Sequence, residues 1–281
     1  MLKQRVLTAL VLLMVLLPAL FYAHPEPFFV FAGLFIAAAG WEWARMNGLT
    51  SNASLAAGGL CAAACVVMWA SGILTEQLPS VWLLAGSVWV LAGALILRAG
   101  VPAWAQVAVS VRLGLGLAAL CLTWLAVAQA RLLGTNFLLS VLALVWMADI
   151  GAYFSGRTLG GRFTRSKLAA SISPGKSWEG VWGGMLGVVL MAMVWRFADA
   201  ASGAAVPSFY TLLGAKGLSF MVLAVVFMAA MSVVGDLVES LVKRSAGVKD
   251  SSALLPGHGG VLDRVDALLP TLPLAMMLIS F

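Results

Sequence analysis

Long apolar runs separated by short polar segments dominate this chain. Nine runs approach the length of about 20 residues at which an α-helix crosses a bilayer. They cover residues 6–23, 28–43, 55–74, 81–97, 107–130, 137–154, 178–195, 218–234 and 267–279. A transmembrane barrel would show alternating strands of about 10 residues instead of continuous apolar runs. The pattern therefore predicts an all-α, polytopic integral membrane protein with about nine transmembrane helices.

Composition excludes an ordinary soluble domain. Hydrophobic residues make up 62% of the chain, charged residues 10%, and the mean hydropathy is +1.02, well beyond the range of soluble proteins. The first run follows Lys3 and Arg5 like a secretory signal peptide, but Phe21 and His24 disfavour cleavage. We therefore expect a retained first helix. The three cysteines are spaced like apolar packing residues and predict neither disulfides nor a metal cluster.

The basic residues predict an orientation rather than nucleic-acid binding. The net charge is +6, and Lys and Arg accumulate in cytoplasmic loops of membrane proteins. With a cytoplasmic N-terminus, only Arg131, Arg196 and Lys216 fall in outer loops, while Arg112 is unassigned. An odd number of helices puts Phe281 on the far side. We expect both long charged loops to face the cytoplasm.

Polar and ionisable residues are unevenly distributed along the chain. Residues 1–135 are mostly apolar and predict transmembrane scaffold and a possible oligomer contact. Residues 136–281 are expected to carry the catalytic site on cytoplasmic loops. Within the sixth run, Asp149 and Tyr153 share one helix face, and an ionisable residue in a membrane helix is a functional candidate. A packing carboxylate paired with an Arg is the alternative interpretation.

A second candidate is the stretch SPGKSWEG, residues 173–180, where the seventh helix is predicted to begin. Backbone N–H groups at a helix N-terminus, with Ser173, Lys176 and Ser177 nearby, favour anion binding. The Gly-Lys-Ser invites a P-loop interpretation, but Ala170 occupies the position where that motif needs its first Gly. A loop that binds anionic lipid headgroups is the alternative.

The end of the eighth run carries a polar stripe. Asp236, Glu239, Ser240 and Lys243 are spaced i, i+3, i+4 and i+7 and share one helix face. An ion pair of Asp236 with Lys243 or Arg264 would be a purely structural explanation. Asp263 and Asp266 follow at i, i+3 where the ninth helix begins, and the helix dipole favours negative charge there.

These residues belong to the densest polar segment, residues 240–266, SLVKRSAGVKDSSALLPGHGGVLDRVD. Its cations suit phosphate oxygens, its carboxylates suit a divalent ion, and its small residues let a ligand approach the backbone. His258 could be a metal ligand or general base by residue type, yet its glycine neighbours favour shaping the turn or contacting phosphate. The segment therefore predicts a metal and phosphate site beside the membrane.

The same segment resembles the signature of phosphatidate cytidylyltransferases, also called CDP-diacylglycerol synthases. Its fixed positions are Ser240, Lys243-Arg244, Lys249-Asp250, Pro256-x-His258-Gly-Gly and Asp263-Arg264-x-Asp266. The stretch ADIGAYFSGRTLGG, residues 148–161, resembles a second block of that family. The resemblance implies transfer of CMP from CTP to phosphatidic acid, giving CDP-diacylglycerol and pyrophosphate in phospholipid synthesis, among membrane lipids and as a possible homodimer.

For such a reaction we expect Mg²⁺ and a set of named side chains. Asp236 and Asp263 are the predicted primary metal ligands, with Asp266 and Asp149 in secondary roles. The predicted catalytic residues are Asp236, Asp263, Lys243, Arg244, Lys249 and His258. The predicted substrate-binding residues are Ser173, Lys176, Ser177, Lys243, Arg244, Lys249 and Arg264.

Other functions remain open from the residues alone. An enzyme using CTP on another lipid, such as an isoprenoid alcohol kinase or an ether-lipid cytidylyltransferase, would keep a similar site. The CDP-alcohol phosphotransferase motif is absent from the sequence. An ion-coupled transporter could use Asp149 and Asp236, but transporters place such residues near the bilayer midplane and often show inverted repeats. This chain clusters its charges at one surface.

Overall fold

Helices account for the regular structure of the chain. The computed structural model describes residues 2–164 and 166–281; Arg165, which the charge pattern places in a cytoplasmic loop, lies outside these ranges. The helices are α1 Leu2–Phe21, α2 Glu26–Met46, α3 Ser51–Ala70, α4 Pro79–Gln106, α5 Val109–Leu133, α6 Thr135–Leu159, α7 Trp178–Ser202, α8 Phe209–Ala215, α9 Leu218–Ser245, α10 Leu262–Val265 and α11 Leu268–Ser280, with a 3-10 turn at Ile73–Thr75.

Eight of these helices are long and apolar enough to cross a membrane: α1 to α7 and α9. This finding confirms the all-α membrane fold. The ninth predicted helix is present as α11, but it has 13 residues and is too short for a typical span. Asp266 and Ala267 keep helical backbone angles between α10 and α11, so the two helices follow one another almost without interruption.

Two further features were absent from the predicted pattern. The short helix α8 begins after Ser208, whose side chain accepts a hydrogen bond from Thr211 N. Helix α4 is broken at Gly100, whose φ of 78° is outside the helical region, so residues 101–106 form a short helical segment of their own after the break. Helix α9, by contrast, continues to Ser245 and carries the whole polar stripe on one helix, as the sequence predicts.

One end of the bundle gathers the N-terminus and two long loops. Arg5 Nε of α1 donates to the carbonyl oxygen of Gly257 at 2.9 Å. Arg244 Nε at the end of α9 donates to Ile172 O in the α6–α7 loop at 3.2 Å. We call this the loop end of the bundle.

The C-terminus lies at the opposite end. Lys216, between α8 and α9, donates to Leu278 O at 2.8 Å and also contacts the carbonyl oxygen of Phe281. Arg131 at the end of α5 donates to Tyr22 O at the end of α1. Helix α1 therefore begins at one end of the bundle, and the chain ends at the other.

Close helix packing brings the candidate residues together. A Cβ added to Gly235 of α9 would lie 2.6 Å from Asp266 O and 2.9 Å from Pro270 Cδ. One added to Gly184 of α7 would lie 2.6 Å from Ala148 O of α6. Only glycine permits these backbone approaches without displacement. They place Asp236 beside the start of α11, and α6 against α7.

Candidate functional site

A buried glutamate from α2 holds the loop between α9 and α10, residues 246–261, which carries most of the signature. Glu42 is fully buried. One carboxylate oxygen accepts hydrogen bonds from Ser252 Oγ at 2.5 Å and Val261 N at 2.9 Å. The other accepts from Ser251 Oγ at 3.1 Å and Leu262 N at 2.7 Å. These four hydrogen bonds satisfy a buried charge that would otherwise be costly, and they fix the loop against the first half of the chain.

Two more N-terminal side chains hold the same loop. Arg45, one turn after Glu42, donates to Ser251 O at 2.5 Å. Thr8 of α1 donates to Pro256 O at 2.9 Å, next to the contact between Arg5 and Gly257. Residues 1–135 were expected to serve mainly as scaffold. Helices α1 and α2 also shape the loop between α9 and α10 directly.

We expect Glu42→Gln to destabilise the folded protein by about 2–4 kcal/mol. The amide nitrogen would face two hydrogen-bond donors, and hydrogen bonds to a charged group contribute about 1.5–3 kcal/mol each. Thermal unfolding in detergent measures the loss, and faster tryptic cleavage after the exposed Lys249 reports on the loop itself. Glu76→Gln is the matched control, since Glu76 is exposed. Equal cleavage in both variants would contradict this role of Glu42.

A buried three-residue ion cluster lies beneath the loop. Lys243 Nζ is 2.5 Å from Glu239 Oε2 and 2.6 Å from Asp263 Oδ1, and all three side chains are at most 12% exposed. The other oxygen of Asp263 accepts hydrogen bonds from Ser251 N, Ser251 Oγ and Gly260 N at 2.8–2.9 Å. Asp263 therefore connects α9 to both ends of the loop.

The ionisation of Asp263 follows from these contacts. Burial acts to raise the pKa of this carboxyl, but the hydrogen bonds from Lys243 and Gly260 N outweigh burial and hold the pKa at about 2. A free Asp has a pKa of about 3.9. The carboxylate therefore stabilises the folded state above about pH 4, and this contribution is lost as the pH falls through about 2.

A polar cavity of about 370 Å³ opens between α6, α7 and α9 at the loop end. Its ionisable and hydroxyl side chains come from three places in the sequence: Asp149, Tyr153 and Arg157 on α6, Lys176 and Ser177 before α7, and Asp236 on α9. Lys176 Nζ lies 2.5 Å from Asp236 Oδ2, and both side chains are about a quarter to a third exposed. The two blocks that the sequence singled out thus face one cavity.

Local structure fixes the mouth of this cavity. Ser177 caps α7, its Oγ accepting a hydrogen bond from Gly180 N at 3.2 Å. Glu179, buried in the first turn of α7, accepts hydrogen bonds from Phe163 N at 3.1 Å and from Thr164 N at 2.8 Å. Arg157 donates to Tyr153 Oη at 2.8 Å. The cation at Lys176 and the N-terminus of α7 are therefore presented together to the cavity.

The remaining predicted residues lie around these two centres. Ser173 is in the turn before Lys176, whose backbone N donates to Ser173 O. Lys249 is exposed on the loop. The carbonyl oxygen of His258 accepts from Arg264 Nε and Nη2 at 3.0 and 2.6 Å, so both residues shape the Pro-Gly-His-Gly-Gly turn. Burial raises the pKa of Asp266 to about 7, and repulsion from the nearby carboxylate of Asp236 adds to the effect.

The structure separates the predicted metal ligands into two groups. Asp149 and Asp236 line the polar cavity, with Asp266 close to Asp236, whereas Asp263 belongs to the ion cluster beneath the loop. In the described ranges no three or more His, Cys, Asp or Glu side chains converge as a ready metal cage. Mg²⁺, however, is commonly held by one or two carboxylates together with water and substrate phosphates. Asp149 and Asp236 line one cavity that is open to solvent and holds Lys176, so these two carboxylates fit an ion held in that way.

Comparison with known proteins identifies the group to which the chain belongs. A model of the cytidylyltransferase family matches residues 3–281. The chain belongs to this family. It is 41% identical over 275 residues to a phosphatidate cytidylyltransferase of Pseudomonas aeruginosa, covering 97% of this chain and 95% of that protein. A protein of the same name from Haemophilus influenzae is 48% identical over 141 residues, covering 50% and 44% of the two chains.

Family membership confirms the resemblance that the signature segment predicts. A third relative, a phosphatidate cytidylyltransferase of Brucella suis, is 44% identical over 135 residues, or 48% of this chain and 43% of that protein. The chain is therefore a membrane-bound nucleotidyltransferase, and the polar cavity is its candidate site. Family membership does not by itself assign roles to side chains, for which the contacts above provide the basis.

Glu42 is the residue that the sequence interpretation missed. It lies within the second apolar run, between Trp41 and Trp43, and is the acidic residue of that run. The rule that singled out Asp149, that an ionisable residue inside a membrane helix has a functional or structural partner, applies equally to Glu42. Its partners could not be read from the sequence because they lie 209 or more residues away.

Proposed function

We propose that this protein transfers the CMP group of CTP to phosphatidic acid, giving CDP-diacylglycerol and pyrophosphate, at the loop end of its helical bundle. The chain is a nucleotidyltransferase of the cytidylyltransferase family. The observation that carries the proposal is the polar cavity, in which Lys176, Arg157 and the N-terminus of α7 face the carboxylates of Asp149 and Asp236. Cations suit a nucleotide triphosphate, and carboxylates suit its divalent ion.

The loop end faces the cytoplasm in this proposal. CTP is a soluble polyanion, and the Lys and Arg side chains of both long loops gather at that end, as the positive-inside rule requires of cytoplasmic segments. The N-terminus then lies in the cytoplasm and the C-terminus on the far side of the bacterial inner membrane. That arrangement requires α10 and α11 together to complete a ninth crossing. The homodimer implied by the family resemblance is part of the same proposal.

This reaction depends on positioning the two substrates more than on removing a proton from the attacking phosphate. A phosphate monoester has a second pKa of about 6, so the headgroup of phosphatidic acid is largely a dianion near pH 7 and can attack the α-phosphorus of CTP directly. The new P–O bond forms as the bond to pyrophosphate breaks, and no proton is transferred. Two polyanions must be held together in line, and electrostatic stabilisation of the departing pyrophosphate supplies much of the rate.

We assign phosphate binding, charge neutralisation and metal binding to individual side chains. Lys176, Ser173 and Ser177 bind phosphate oxygens of CTP at the start of α7. Lys243 and Arg244, with Lys249 on the loop and Arg264 on α10, neutralise the lipid phosphate and the pyrophosphate. His258 shapes the turn that carries Arg264. Asp236 and Asp149 would hold Mg²⁺ at the polar cavity, with Asp266 close by, whereas Asp263, the other predicted primary ligand, holds Lys243 and the loop in place. Bound Mg²⁺ supplies neutralisation of the attacking and leaving oxygens.

Purified protein in detergent, incubated with CTP labelled on the α-phosphate, tests the proposal. We expect labelled CDP-diacylglycerol and stoichiometric pyrophosphate with phosphatidic acid, loss of both on adding EDTA, and recovery with Mg²⁺. A kinase acting on an isoprenoid alcohol would release CDP instead of pyrophosphate, and a transporter would release neither. Folded protein that binds CTP but forms no lipid product from phosphatidic acid would overturn the proposal.

A further inference from the structure

A second cavity, almost entirely apolar, lies on the other side of α9. It has a volume of about 380 Å³ and is bounded by α4, α5, α9 and α11. Its wall on α4 is a stripe at helical spacing from Val81 to Ile96, a length of about 22 Å at 1.5 Å per residue. Leu84, Val88 and Leu115 line its outer rim and are well exposed. The cavity therefore opens sideways, toward the bilayer, between α4 and α5.

The polar atoms of this cavity are concentrated near the loop end. Glu239 lines the cavity and is 2.5 Å from Lys243 in the ion cluster. Trp104, from the segment after the break at Gly100, also lines it. Trp104 is 5% exposed, and its indole N–H has no hydrogen-bond acceptor among the described residues. An unpaired buried donor is costly. An oxygen atom of a bound ligand could provide the acceptor that this N–H lacks.

Helix α9 separates the two cavities. Asp236 faces the polar cavity, while its neighbour Gly235 and Glu239, one turn further on, face the apolar one. Lys243 lies beyond both at the loop end of the same helix. A molecule with a phosphate at Lys243 and a hydrocarbon tail along α4 would therefore have its phosphate on the same helix as Asp236 of the polar cavity, about 10 Å further along α9.

We infer that the apolar cavity binds one acyl chain of the lipid substrate, with an ester carbonyl oxygen accepting the hydrogen bond of Trp104 Nε1. This inference rests on the proposed function and extends it by assigning the lipid tail a site. An acyl chain fits better than a second protein copy because the cavity is apolar along α4 and ends at Glu239 beside Lys243, and a diacyl phosphate likewise has an apolar tail that ends at a charged group. Trp side chains are common at the membrane interface, with the ring in the apolar layer and the N–H near polar headgroups.

The first test blocks the cavity without changing the ion cluster. Ala92 of α4 lines the cavity, whereas Ala94 is exposed on another face of the helix. We expect Ala92→Phe to raise the KM for dioleoyl phosphatidic acid about tenfold, which corresponds to loss of about two buried methylene groups. The KM for CTP and for dihexanoyl phosphatidic acid should change less than twofold, and Ala94→Phe should match wild type with every substrate.

Two results would overturn the acyl-chain assignment. One is an Ala92→Phe variant that handles the long-chain lipid like Ala94→Phe, and the other is an equal loss with long and short chains. A wild-type protein that makes no product from either lipid would overturn the proposed function itself. The two failures are therefore distinguishable.

A second variant tests the hydrogen bond. Trp104→Phe should raise the KM for diester phosphatidic acid about fivefold, as expected for one hydrogen bond of about 1 kcal/mol. It should leave the KM for a dialkyl ether analogue, which lacks the carbonyl oxygen, unchanged. Equal effects on ester and ether lipids would contradict the contact with Trp104 Nε1.

Discussion

Replacing Lys243 by Met should destabilise the folded protein by about 3–5 kcal/mol, the cost of leaving buried carboxylates without their cation. Lys243 is the common partner of Glu239 and Asp263, which are 2% and 6% exposed. The variant should also lose activity, because the same ammonium group is proposed to meet the lipid phosphate. Equilibrium unfolding in mixed detergent and SDS micelles measures the stability, and CDP-diacylglycerol formation measures the activity.

A double variant separates the two effects. Adding Glu239→Gln to Lys243→Met removes one of the uncompensated charges and should recover about 1–2 kcal/mol of stability without restoring activity. Lys216→Met is the matched control at the opposite end of the bundle, where the ammonium group contacts carbonyl oxygens and lies over the ring of Phe220. If Lys243→Met unfolds at the same SDS concentration as Lys216→Met, the ion cluster does not stabilise the fold as we describe.

The helices could be predicted from the sequence because apolar periodicity and length are local properties. The run at residues 178–195, for example, begins at the observed N-terminus of α7, where Ser177 provides a recognisable cap. Helix α8 was missed because its seven residues are too few for a membrane pattern. The break in α4 was also missed, since a single Gly within an apolar run has no local signature of a positive φ.

The candidate site was predictable as a set of residues but not as a set of contacts. The stripe on α9 predicted which side chains share a face, and the signature predicted that the loop belongs with them. The structural alternative for Asp236 was an ion pair with Lys243 or Arg264, whereas the structure pairs Asp236 with Lys176. Helical geometry explains the difference, because Lys243 lies two turns, or about 10 Å, beyond Asp236 and is held by Glu239 and Asp263.

Asp236→Asn should show the opposite behaviour to Lys243→Met, with activity lost and stability retained. We expect kcat/KM to fall about a thousandfold, the size of effect found when a group that stabilises transition-state charge is removed. Stability should change by less than about 1 kcal/mol, since the ion pair of Asp236 with Lys176 is partly exposed. Unfolding in SDS and labelled product formation provide the two measurements, and a raised Mg²⁺ requirement would point to the metal.

Asp199→Asn is the matched control, because Asp199 serves only the far end of the bundle. Its carboxylate accepts hydrogen bonds from Asn136 Nδ2 and Ser208 N at 3.0 Å, and from Thr211 Oγ1 at 2.5 Å. That variant should lose stability while keeping its turnover per folded molecule. If Asp236→Asn keeps wild-type kcat/KM, the polar cavity is not where the nucleotide reacts. If Asp199→Asn instead loses activity while fully folded, the two ends of the bundle are coupled in a way that the proposed mechanism does not contain.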